Sequence, residues 1–256
     1  MKKKLLIYIL VLIFLFFVGC TNEMEMLEDN STLKAGNERL FMPDSLRDLI
    51  EYDRNSMDQY SIRKLENILE LLYTFPETNK MLNSLKDGLK VKMEITGGSS
   101  SLGEAWYDPI YPPKIGFLRE DCITMENVLH ELLHHYAMYN YVPYRDGVIP
   151  ACEEYEVRVL TDVIMQKYCA NCDFKYQGMS PDEGLFYQPY IDWINNLINT
   201  SSFDKFLFGI EFKKYGTICI MNLQYNDKTT HDILQINDLS YYIPLLLETF
   251  LFNFKR

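Results

Sequence analysis

An α+β fold, mainly helical, with a small sheet placed before one central helix, is the architecture that three observations in the sequence predict. Apolar residues recur at helical spacing, as in Ile62, Leu65, Ile68, Leu69 and Leu72. Strict alternation is confined to Leu89 to Ile95, with two strand-sized segments soon after it, at Gly103 to Tyr107 and Lys114 to Leu118. Turn formers punctuate these pieces, namely Gly97-Gly98-Ser99-Ser100-Ser101, Asp108-Pro109 and Pro112-Pro113. A chain of 256 residues that is 48% hydrophobic and 24% charged can bury a sizeable core.

The leading residues stand apart from that fold. Lys2, Lys3 and Lys4 precede an unbroken apolar run from Leu5 to Val18 and then Gly19-Cys20, the layout of an export signal over residues 1–19. The run falls short of the roughly 20 residues a transmembrane helix needs. Phe17-Val18-Gly19-Cys20 resembles a bacterial lipobox, with Phe17 where an aliphatic residue is usual. That resemblance implies lipidation of Cys20 and a protein anchored to the membrane of the bacterial envelope, periplasmic or surface-exposed. Residues 20–43 are polar, without sustained periodicity, and read as a flexible tether. Residues 44–256 form the folded domain.

Within that domain the patterning predicts helices over Asp44 to Met57, Tyr60 to Phe75 and Glu77 to Lys86, the last two parted by Pro76. After the sheet, Thr124 caps a helix to about Asn140, and a loop with Pro143, Gly147 and Pro150 leads to another from about Ala151 to Tyr168. Further helices are expected near Pro181 to Asn199, Phe203 to Lys214 and Leu239 to Phe254, with a strand at Thr217 to Leu223.

The formal net charge of -11 excludes nucleic acid as the expected partner. After Cys20, five cysteines remain, Cys122, Cys152, Cys169, Cys172 and Cys219, so at least one should stay unpaired. The lone Cys169-Ala170-Asn171-Cys172 is read as a local disulfide or two structural cysteines, because a zinc knuckle needs a second ligand pair.

Chemistry is concentrated in His130-Glu131-Leu132-Leu133-His134. Positions four apart share a helix face, so His130 and His134 can offer two imidazole nitrogens to one zinc ion, Zn2+. Glu131 beside them is placed to act as catalytic base on a water. His135, about 100° round the helix, should point away. A catalytic zinc then needs a third protein ligand, and Glu153, Glu154 and Glu156 open the next helix. Helix geometry puts Glu154 near the buried stripe of Val157, Leu160 and Ile164, with Glu153 a close competitor.

The stretch from about Thr124 to Asp162 resembles the gluzincin metallopeptidases, and Glu154-Tyr155-Glu156-Val157 resembles the E-x-E-A helix of ImmA/IrrE-type peptidases. The resemblance implies a zincin-like domain, a peptide or protein substrate, hydrolysis by a zinc metallopeptidase, and Glu154 as third ligand. It further implies that the strand before the motif helix, Lys114 to Leu118, is the edge along which substrate lies. Asp162 is a candidate to orient a ligand histidine. Tyr107, Tyr111, Tyr144, Arg145 and His231 are candidates for the oxyanion donor. The alternative is a non-catalytic surface lipoprotein that binds a partner or ligand on the same scaffold, against which the intact Glu131 argues.

Overall fold

The computed structural model describes residues 44–85, 90–97, 104–140, 151–169 and 174–200, with 210–211, 214–216, 247 and 250. All lie in the unit Phe41–Arg256. The export signal, Cys20, the tether, the strand expected at Thr217 to Leu223, and the residues Tyr144, Arg145, Cys172 and His231 lie outside the described residues. Of the helices expected at Phe203 to Lys214 and Leu239 to Phe254, only Ile210, Glu211, Lys214, Leu247 and Phe250 are described, all helical.

The fold is mixed and mostly helical, with a four-stranded sheet ahead of the principal helices. Helix α1 is the single turn Asp44–Arg47, and strand β1 is Ile50–Tyr52. The long helix expected over Asp44 to Met57 is therefore wrong. Ile50, Glu51 and Tyr52 pair in parallel with Val91, Lys92 and Met93, burying Leu49 and Ile50. The Asp53 carboxylate then accepts the Asn55 amide at 3.2 Å, a local turn that competes with helix.

Helix α2, Gln59–Thr74, starts on Asp58, whose side chain accepts the Ser61 amide at 2.8 Å, and buries Ile62, Leu65, Ile68, Leu69 and Leu72. It stops at Phe75, because Pro76 disfavours helical geometry in the residue before it and instead opens α3, Pro76–Leu85.

Strand β2 is Val91–Ile95, β3 is Ala105–Asp108 and β4 is Lys114–Phe117. The order is β1-β2-β4-β3, parallel except for the β3–β4 hairpin. Lys114–Phe117 is consequently an inner strand, not the edge expected of it, because the hairpin folds β3 onto its free side. β3 is the edge. The Leu118 amide donates to the Glu104 carbonyl, so antiparallel alternation leaves the backbone groups of Ala105 and Tyr107 facing away from β4. On the same ladder Trp106 lies flat over Gly116, where a Cβ would stand 2.1 Å from the indole.

Helix α4, Met125–Asn140, is the centre of the molecule. Every residue from Val128 to Ala137 is buried, and the helix packs on α2, α3, β3 and α5, Ala151–Tyr168. The segment Pro181–Asn199 is not one helix: a 3-10 turn, Pro181–Phe186, precedes α6, Tyr187–Asn199, because Gly184 takes φ 54° and breaks the ladder. Among the described residues no helix is long and apolar enough to cross a membrane. Cys122 is buried and free, whereas Cys169 is disulfide-bonded, with a partner outside the residues whose side chains are described.

Gly116→Ala should displace the Trp106 ring and destabilise the domain by about 1–3 kcal/mol. A denaturant titration followed by tryptophan fluorescence reads both effects, since Trp106 is one of two tryptophans in the chain; an unchanged midpoint and spectrum would refute this packing role.

Candidate metal centre

The site forms where α4 and α5 cross. At the start of α4 the Thr124 hydroxyl accepts the Asn127 amide at 3.3 Å, a cap of about 1 kcal/mol, and Asn127 donates to the Cys122 carbonyl. This fixes the helix phase one turn before His130. His130 and His134, one turn apart, bring their Nε2 atoms to 3.1 Å of each other. From α5, Glu154 places Oε2 3.0 Å from His134 Nε2 and Oε1 3.6 Å from His130 Nε2.

These distances bear on whether a metal fits. Two ligands held tetrahedrally at zinc bond lengths are about 3.3 Å apart, close to the His130–His134 separation and to the approach of one Glu154 oxygen to each histidine. One ligand atom from each residue lies within 4.8 Å of the other two, and two imidazoles with a carboxylate form a donor set of the kind that holds zinc once both imidazoles are neutral. The residues fit a divalent metal.

Electrostatics favour a cation at the same point. Burial pushes His130 down to about 4 and toward its neutral form. His134 rises to about 10: burial opposes its charge, but Glu153 and Glu154 together outweigh it. Burial would also raise Glu154, yet Arg158, His130 and His134 hold it well below the carboxylate range. The acidic set thus favours a proton on His134. Burial pushes Glu131 up to about 8, so its carboxyl exchanges protons near neutrality.

The three candidate glutamates separate. Glu154 faces both histidines. Glu156 is buried on another side of α5 and accepts the Leu247 amide at 2.9 Å. Glu153 approaches the far nitrogen of His134, with Oε1 3.6 Å from Nδ1. His135 turns from the cluster, its Nδ1 3.1 Å from the Tyr107 hydroxyl of β3. The Tyr107 ring stacks on His134 with centroids 6.4 Å apart, but its hydroxyl is engaged by His135, and Tyr111 stands 77% exposed beyond β3.

Asp162 orients no histidine. It accepts the amides of Gln177 at 2.7 Å and Gly178 at 2.9 Å and the Tyr190 hydroxyl at 2.5 Å, tying the segment before α6 onto α5. Burial pushes its carboxyl up to about 7 against these bonds. Two partners went unread in the sequence. Arg158 donates Nε to Glu154 Oε1 at 2.7 Å and Nη1 to the Gln177 carbonyl at 3.0 Å, and Gln177 donates Nε2 to Asn127 Oδ1 at 3.1 Å. The four-residue step from Glu154 to Arg158 was a usable signal, whereas Gln177 carries none.

Comparisons of the chain with protein-family models, with curated proteins and with solved structures give no match.

The geometry predicts one zinc per wild-type chain. Glu154→Ala should lose zinc stoichiometry, whereas Glu156→Ala should keep zinc and lose thermal stability, because its carboxylate caps a buried amide. Metal analysis after dialysis, with a melting curve, distinguishes the two; zinc loss confined to Glu156→Ala would reverse the assignment.

Proposed function

We propose that the chain is a zinc-dependent peptidase of zincin-like type, held at the bacterial envelope by a lipid on Cys20. One observation carries the reading: one donor atom from each of His130, His134 and Glu154 lies within 4.8 Å of the other two, beside a buried Glu131. A set of three protein ligands leaves a coordination position for water, which is the pattern of catalytic sites. Zinc bound there would lower the pKa of a water from about 15.7 toward 7.

The chain's own residues supply the rest. Glu131, buried beside both histidines, would take a proton from the attacking water on its carboxylate and return it to the leaving amine. Arg158 donates to Glu154 Oε1, the oxygen on the His130 side, and leaves Oε2 to face His134. Among the described residues no strand pairs with the outward backbone of Ala105 and Tyr107, beside α4, and there an extended peptide can add as a further strand.

Glu131→Gln should keep zinc stoichiometry and lose at least about 100-fold in hydrolysis of a quenched peptide library. Turnover equal to wild type would mean that Glu131 is not the base, and absence of turnover in the zinc-loaded wild type would favour the binding-only reading. Cys20→Ala should release the protein from membranes on fractionation of expressing cells; unchanged retention would count against the anchor.

A further inference from the structure

We propose that Glu153 is a positioning residue for His134, its carboxylate accepting the Nδ1 proton and so turning the Nε2 lone pair toward the metal. This rests on the metal reading of the same site. His134 Nδ1 and Glu153 Oε1 lie 3.6 Å apart, on side chains 2% and 15% exposed. Both atoms are buried, and neither has a hydrogen-bond partner among the described residues. Two buried polar atoms facing one another, neither with another partner among the described residues, are each other's nearest remedy. A small rotation of either side chain closes the gap to hydrogen-bond length.

Helix geometry makes the arrangement available. Consecutive residues of α5 project about 100° apart. Glu153 and Glu154 therefore flank one imidazole, Glu153 at Nδ1 and Glu154 at Nε2. A neutral imidazole carries one proton, so fixing it on Nδ1 makes Nε2 the acceptor. A carboxylate behind that proton also raises the basicity of the ligand nitrogen. Nδ1 of His130 is likewise buried without a hydrogen-bond partner, but no carboxylate of the described residues stands within ion-pair distance of it. His134 is thus the oriented ligand of the pair, and Glu153 is what orients it.

The test uses the full chain and the metal alone. Zinc affinity is measured by chelator competition for wild type, Glu153→Gln, Glu153→Leu and Glu153→Ala, with circular dichroism to confirm folding. Exchange of the imidazole N–H protons is followed by proton NMR of the cobalt-substituted forms. Glu153→Gln keeps an acceptor and should bind zinc within about threefold of wild type. Glu153→Leu and Glu153→Ala should bind about 10–100-fold more weakly and show faster exchange of one imidazole proton. Either apolar variant suffices if the other does not fold. Apolar variants with wild-type affinity and exchange would overturn the role of Glu153 while leaving the metal reading intact. Equal weakening by Gln and Ala would overturn it too, since the acceptor would not be the cause. Complete loss of zinc in Glu153→Ala with retention in Glu154→Ala would make Glu153 a ligand. A wild-type chain that binds no zinc would sink the metal reading itself.

Discussion

The fold depends on burying a polar cluster inside its most central helix. Ten consecutive residues of α4, from Val128 to Ala137, are removed from solvent, and four of them are His130, Glu131, His134 and His135. Burial of such groups costs several kcal/mol each unless they are paired, so neighbours must bring matching polar atoms. The neighbours do so from two sides. α5 delivers Glu153 and Glu154 to the histidines, and β3 delivers the Tyr107 hydroxyl to His135. Arrangement of sheet and helices around α4 is thereby limited to one that brings both to it.

Pairing continues outward until it meets structure that carries no charge. Glu154 is matched by Arg158, Arg158 holds the Gln177 carbonyl, and the Gln177 side chain returns to Asn127 at the start of α4. The circuit closes on the helix where it began. Arg158 and Glu154 are each only partly exposed, so removing one leaves the other with an unmatched, partly desolvated charge. Arg158 is therefore as much a part of the centre as the groups it supports. Asp162 carries the constraint further by accepting two backbone amides and the Tyr190 hydroxyl.

The abundance of aromatic residues has one structural outlet here. Tyr190 sits with ring centroids 5.9 Å from Trp193 and 5.4 Å from Tyr215, in tilted and edge-on contacts that suit the ring quadrupoles. Its hydroxyl leaves this cluster to reach Asp162. A large apolar body and one polar tip thus join the α6 core to the network around the His130, His134 and Glu154 cluster.

Local pattern settled much of the molecule. The bounds of α2, α3, α4 and α5 follow from helical stripes, Thr124 and the two prolines, and the motif itself fixes that His130 and His134 share a face. A period and a cap are properties of neighbours in the chain, so sequence carries them. The strand at Ile50–Tyr52 was hidden because its pairing partner, Val91–Met93, is remote, and a three-residue strand has no period to detect. Lys114–Phe117 looked like an edge because nothing local reports that the hairpin covers its other side. Which of Glu153, Glu154 and Glu156 faces the histidines depended on the rotation of α5 against α4, and no single-helix stripe sets that to within one residue. Sequence thus determined which groups could act together, and tertiary packing alone decided which do, because helix rotation and strand order are fixed only by contacts between distant parts of the chain.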